Sequence, residues 1–291
     1  MNINLIKVLK DAHYEVDRIL NKNSNVTSDN NITSENYYKE SLSTKFIGQH
    51  FNYYDILSST NETAKSIANN SADGTIVLAK EQSGGKGRLG RVWSSPKGGI
   101  WLSIVLKPNI SPIYASKVTQ IAAASYILVL RSLGFDASIK WPNDIYINNK
   151  KVCGVLTEMK CDRDRINHLV VGSGLNVNLS KNDFPKELLS TATSLQIEGN
   201  KKYNKIEILC SFLKEFERLY IDSIENNNFK EVLSICRKYS IILDKKAFLI
   251  TSKTKEEVTC IGINDDGLLI VKDSNGNEKK VISGEITFKN I

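Results

Sequence analysis

Residues 84–93 read GGKGRLGRVW, four glycines and three cations in ten positions, set between two apolar runs, TIVLAKEQ (75–82) and GIWLSIVLKP (99–108). Glycine loses more backbone freedom on ordering than any other residue, so neither a helix nor a strand interior tolerates this density. The segment must be a loop between two strands, with backbone N–H groups free to meet an anion. Two phosphate-binding patterns fail on it. Gly85, Gly87 and Gly90 match G-x-G-x-x-G in form, but Pro96 and Gly98-Gly99 stand where the following helix should run, and no acid lies about twenty positions on. A Walker loop fails because Lys86 is followed by Gly87 and not by Ser or Thr. Taken alone, the loop either wraps a phosphate or acyl-phosphate or stands solvated at the surface.

The charge distribution favours a small anion over a polyanion. The net charge of +7 is unevenly spread. Lys80, Lys86, Arg88, Arg91, Lys97 and Lys107 face only Glu81 within 80–107, whereas basic and acidic residues balance within 1–45. A DNA-binding head should carry a basic footprint, and none is present there. Hydrophobic and charged shares of 41% and 24% are ordinary for globular chains and exclude collagen-like or wholly disordered classes. The longest apolar run, residues 121–130, is half of the roughly 20 residues a membrane-spanning helix needs. The opening MNINLIKVLKDAHYEVDR has no small-residue cleavage site, so no secretory leader is expected. Cys153, Cys161, Cys210, Cys236 and Cys260 are scattered without a CxxC, which predicts reduced thiols in a cytoplasmic protein and no zinc site.

With about 150 residues per domain, 291 residues suggest two domains. Residues 1–45 begin with a short helical pattern (Leu5, Ile6, Leu9) and pass into the polar run NKNSNVTSDNNITSEN, which cannot bury a core. From 46 to 238 the texture is α+β. Strands are predicted at 51–57, 75–82, 99–108, 138–147, 151–159 and 168–179, and helices at 58–70, 114–134, 206–224 and 229–239. Ser59-x-x-Glu62 has capping-box spacing, and Asn148-Asn149 joins two strands as a hairpin. Residues 239–291 read as consecutive short strands with Asp266-Gly267 and Asn275-Gly276 turns, the pattern of a small SH3-like barrel. The expected fold is therefore a central mixed sheet flanked by helices, followed by a C-terminal β-barrel.

Three further segments offer chemistry. Lys140 lies inside the apolar strand SIKWPNDIYI, where an inward ammonium needs an anion and an outward one needs nothing. Ser59-Thr60-Asn61 form a helix N-terminus, which also presents hydroxyl and amide donors to a polar ligand. Gly172-Ser173-Gly174-Leu175-Asn176 close a buried strand with glycines that admit either a ligand or a bulge. His13, His50 and His168 sit in no motif, and there is no Ser/His/Asp, Cys/His or metal-ligand arrangement.

Together, STN (59–61), EQ…GKGRLGRVW (81–93), KWPND (140–144), GVLTE (154–158), GSGLNVN (172–178) and GEITF (284–288) resemble, in order and spacing, the motifs of biotin–protein ligases over residues 45–291. The resemblance implies the class II synthetase-like catalytic fold of that family. It also implies ATP- and Mg²⁺-dependent formation of biotinyl-5′-AMP, then transfer of biotin to a lysine of a biotin carboxyl carrier protein. Lipoate-type ligases share the core fold and are the alternative. By resemblance Ser59, Thr60 and Asn61 hold the biotin ureido end, and Gln82 lies near its carboxylate. Lys86, Gly87 and Arg88 order over biotin and the adenylate, and Lys140 and Arg88 act on the charge that develops in reaction. Arg91, Trp93, Asn143 and Asn176 take the nucleotide.

Two departures stand out. Family members usually have arginine where this chain has Lys86, so a bidentate fork is lost while the charge is kept. Residues 1–45 resemble only the tail of the winged-helix domain that bifunctional relatives carry, so repressor activity and DNA binding are not expected. Relatives are monomers or homodimers, and either state is open for this chain.

Overall fold

A computed structural model describes residues 35–162, 165–251, 254–282 and 284–288. The winged-helix remnant and most of the polar connector read from the sequence lie outside these residues. The packed body begins earlier than residue 46. Helix α1 (Glu35–Ser41) buries Tyr38, whose hydroxyl donates to the Gly48 carbonyl at 2.8 Å.

A seven-stranded sheet has the order β1 (Phe51–Leu57), β2 (Ile76–Gln82), β3 (Ile100–Leu106), β7 (Arg165–Leu175), β6 (Lys150–Asp162), β5 (Asp144–Ile147), β4 (Ala137–Lys140). Only β1 and β2 run parallel, so the sheet is mixed as expected. Strand alternation sorts its side chains onto two faces. Ile76 and Leu78, Ile100, Leu102 and Ile104, Leu169 and Val171 join one core with α3 (Ala115–Ser132) and α4 (Lys205–Tyr220). Helix α4 starts where Asn204 Oδ1 accepts from the Ile206 and Glu207 amides, which satisfies two otherwise orphaned donors. On the opposite face Val77, Val105 and Val170 pack under Ala64 and Ala68 of a short helical segment headed by α2 (Thr60–Ile67). Because α2 covers only part of this face, the rest is open for a ligand.

Residues 138–147 are not one strand. The chain reverses at Trp141-Pro142-Asn143, so β4 and β5 pair with Lys140 opposite Asp144. Pro142 has no N–H to give a ladder, and the Pro-Asn-Asp triplet is turn chemistry. The apolar flanks hid that signal.

The C-terminal sheet is antiparallel, in the order β11 (Glu278–Val281), β10 (Leu269–Lys272), β9 (Lys255–Ile263), β8 (Lys245–Ile250), β12 (Glu285–Thr287). Leu249, Val258, Cys260, Leu269, Val271 and Ile286 fill this SH3-like unit. It is clasped to the β4–β5 hairpin in two places. Residues 239–241 pair with the outer edge of β4, through Ile139 N–H to Tyr239 O at 2.7 Å and Ile241 N–H to Ile139 O at 2.9 Å. In the β9–β10 turn the Gly267 carbonyl accepts from Gln120 Nε2 at 2.6 Å and Trp141 Nε1 at 3.0 Å.

Candidate active site

The open face of the large sheet collects what alternation sends there. Lys140, Asp144 and Tyr146 come from the hairpin, Gly154, Leu156 and Glu158 from β6, Gly172 and Gly174 from β7, and Ser103 from β3. Above them lies a cavity of about 300 Å³. Ser59, Thr60, Asn61, Gln82, Lys86, Gly87, Arg88, Arg91, Trp93, Lys140, Asn143 and Asn176 all line it, so every site residue read from the sequence meets in one space.

One end is polar and rigid. Ser103, fully buried, places its hydroxyl 2.8 Å from Thr60 Oγ1 and 2.6 Å from Asn61 Oδ1. Gln82 Oε1 accepts from the Thr60 amide (2.8 Å) and hydroxyl (3.1 Å), while Gln82 Nε2 donates to Ser95 Oγ at 2.8 Å. Asn61 Nδ2 donates to Glu158 Oε2 at 2.8 Å. Gly172 is required beneath it, since a Cβ there would stand 2.0 Å from Asn61 Oδ1. The expected capping box is absent. Ser59 heads the helix without a side-chain capping bond, and Glu62 turns to Lys65 and Lys86.

The other end is built for a flat group. Trp93 lies over two glycines: a Cβ on Gly174 would come within 2.3 Å of its Nε1, and one on Gly154 within 3.1 Å of its six-membered ring. The Lys151 ammonium sits 5.0 Å from the Trp93 ring centre and 2.7 Å from Asp144 Oδ1. Asn176 Nδ2 donates to the Thr193 carbonyl, which anchors the wall opposite.

Between the ends lies Lys140. Among the described residues its ammonium makes no hydrogen bond or ion pair, and it lies 5.8 Å from the Tyr146 ring centre. Burial holds it below the usual lysine range, opposed by the negative charges of Asp144 and Glu285. A half-buried cation without a bonded counter-ion is suited to an anionic ligand.

The glycine-rich loop is closed over the cavity as a flap. Arg88 donates to Asn143 Oδ1 at 2.9 Å and to the Gly284 carbonyl at 3.0 Å. Asn143 is itself fixed, with Nδ2 on the Val155 carbonyl. Arg91 grips both carboxylate oxygens of Glu285, and that contact holds the Glu285 carboxyl below its usual range. Leu89 sits at the tip in the left-handed region (φ 57°), and its side chain is 80% exposed. Sequence reasoning missed Ser103, Lys151, Asp144, Glu158 and Glu285. Asp144, Glu158 and Glu285 are visible only as parts of KWPND, GVLTE and GEITF, with no role of their own, and nothing local marks Ser103 or Lys151.

The chain is similar to known proteins over both of its sheets. Residues 53–176 match the sequence profile of the biotin/lipoate A/B protein ligase family, and residues 249–289 match that of the biotin protein ligase C-terminal domain. The chain is 35% identical over 284 residues to the bifunctional ligase/repressor BirA of Bacillus subtilis, covering 97% of this chain and 87% of that one. It is 28% identical to the biotin–[acetyl-CoA-carboxylase] ligase of Paracoccus denitrificans over 76% of this chain and 93% of that one. The solved biotin protein ligase of Aquifex aeolicus in complex with biotin and ATP superposes with a TM-score of 0.72 at 28% identity, covering 82% of this chain and 98% of that chain.

Proposed function

Because the chain belongs to the biotin–protein ligase family, we propose that the cavity over Gly172 and Gly174 is where biotin is activated and then handed to a carrier lysine. The protein is an ATP-dependent biotin–protein ligase. In the first step a biotin carboxylate oxygen attacks the α-phosphorus of ATP, the bond to the β-phosphate bridge breaks, and pyrophosphate leaves. In the second, a lysine amine of a biotin carboxyl carrier protein attacks the acyl carbon. The bond to AMP breaks, the amine loses its proton, and an amide remains. Each step moves negative charge onto phosphoryl or acyl oxygens, so fixed cations and donors serve it better than a covalent nucleophile.

The roles follow from position. Ser59, Thr60 and Asn61 meet the ureido end, with Thr60 and Asn61 oriented by Gln82 and Ser103. Gln82 stands towards the biotin carboxylate, and Lys86, Gly87 and Arg88 cover biotin and the adenylate. Lys140 and Arg88 balance the charge that develops at phosphorus. Arg91, Trp93, Asn143 and Asn176 face the nucleotide, with Trp93 against the adenine. ATP enters with Mg²⁺ as its counter-ion. The cavity carboxylates Asp144 and Glu285 are paired with Lys151 and Arg91. We assign the catalytic domain to 46–238, with helix α1 packed onto its core from ahead of that boundary, and the C-terminal domain to 239–291. Five unpaired thiols agree with a cytoplasmic setting.

The observation that carries these assignments is the convergence of Thr60, Gln82, Arg88, Lys140 and Asn176, from five separate segments, on one cavity. Incubation with ATP, Mg²⁺, an apo carrier domain and either biotin or lipoate, read by intact mass, tests them. A mass gain matching biotin is expected; a gain with lipoate alone moves the assignment to lipoate-type ligases, and no gain with either ends it.

A further inference from the structure

A chain of alternating charges runs from the flap to the ureido-end amide through residues with no role so far. Lys86 Nζ lies 2.7 Å from Glu62 Oε1, and Lys65 Nζ lies 2.8 Å from the same oxygen. Lys65 Nζ is also 2.8 Å from Glu158 Oε1, and Glu158 Oε2 takes Asn61 Nδ2 at 2.8 Å. The ammonium of Lys86 is therefore held by helix α2 at the rim of the cavity that Lys86 helps to line. Arg88 and Arg91 are bonded on the far side, to Asn143, Gly284 and Glu285. The flap is thus pinned at both flanks, and Glu62 supplies the pin on the α2 side. Glu62 stands in the first turn of α2, where the helix dipole favours a carboxylate. Lys65 and then Lys86 hold its carboxyl below the usual range.

We propose that Glu62 is a positioning residue that seats the flap. It holds Lys86 both before ligand arrives and while the adenylate is bound, and through Lys65 and Glu158 it ties the closed flap to the orientation of Asn61. The first clause stands on geometry alone, and the clause on the adenylate rests on the ligase reading above.

The test is Glu62→Gln, which is isosteric at a partly exposed position and should melt as the wild type does. In the ligand-free protein, trypsin cuts at Arg88 and Arg91 should quicken about two- to five-fold, the range a partly exposed ion pair supports. Biotinyl-adenylate, formed in situ and chased, should dissociate faster by about the same factor. In a Lys86→Gln background the same substitution should add nothing to either rate, a result that a general loosening of α2 would not give. Wild-type cutting rates, additive effects of the two substitutions, or slower adenylate release in Glu62→Gln would each overturn the proposal. Slower release would mean that Lys86 leaves Glu62 for the phosphate. Because the trypsin arm needs no ligand, a wild type that made no adenylate would count against the ligase reading and leave the seat itself tested.

Discussion

Gly172→Ala separates the two ends of the site. The added methyl would stand 2.0 Å from Asn61 Oδ1, 2.7 Å from its Cγ and 2.8 Å from its Nδ2, so the whole amide is in the way and no small rotation clears it. Asn61 must swing off, which breaks the bond from Ser103 and the charge-assisted bond to Glu158. A neutral bond is worth about 1 kcal/mol net and one to a charged group about 1.5–3 kcal/mol. With partial relaxation, a stability loss of roughly 2 kcal/mol is expected, read by urea unfolding. The displaced amide also withdraws one oriented contact from the ligand, about 1.4 kcal/mol, so biotin affinity measured without ATP should fall about tenfold. Gly174→Ala is the internal control. Its methyl meets the Trp93 ring at 2.3–2.7 Å, and it should raise KM for ATP while leaving biotin binding near wild type. If Gly172→Ala bound biotin normally, or if the two variants exchanged phenotypes, the division of the cavity into ureido and adenine ends would be wrong.

Four other outcomes can be checked directly. Lys140→Ala should slow adenylate formation about 10²–10³-fold in single-turnover experiments, the usual effect of removing one charge-stabilising donor; a near-normal rate would remove Lys140 from the step. Burial lowers the pKa of Lys140, so the ammonium is lost below the pH at which a free lysine would lose it. Adenylate formation should therefore decline early on the alkaline side, and Lys140→Arg should carry the decline to higher pH. For stability the sign is opposite: between the lowered folded pKa and the ordinary lysine value the unfolded chain binds the extra proton, so this group's contribution to unfolding free energy rises with pH across that window, which urea titration at stepped pH would follow. Gly267→Ala should destabilise the protein by about 1–3 kcal/mol in thermal or urea unfolding, since φ is +81° and the new Cβ would lie 2.5 Å from Gln120 Oε1.

Much of the site was legible because its signals are local. The glycine density of 84–93 dictates a loop, whereas Lys140 in 138–147 leaves an inward and an outward ammonium equally open until the motifs are read together. Gly172 and Gly174, two apart on one strand, clear two places on one face. The unread part is long-range. Ser103 sits in an apolar run like any other strand serine, and only the pairing of β3 with β7 brings it under Asn61. Glu285 lies in the small barrel, and its claim on Arg91 depends on how that barrel docks. Ser59-x-x-Glu62 misled because spacing alone cannot tell a carboxylate that caps its own helix from one drawn away by Lys65 and Lys86. Residues 138–147 misled because apolar flanks outweighed a Pro-Asn-Asp turn.

The Gly284 carbonyl and the Glu285 carboxylate come from the C-terminal sheet, yet Arg88 and Arg91 of the flap both reach for them. A protein clipped after Tyr239 would keep its large sheet but leave Arg91 without its carboxylate and Arg88 with Asn143 alone. The latch on the flap is thus lent by a neighbouring sheet, and its grip is only as firm as the docking between the two.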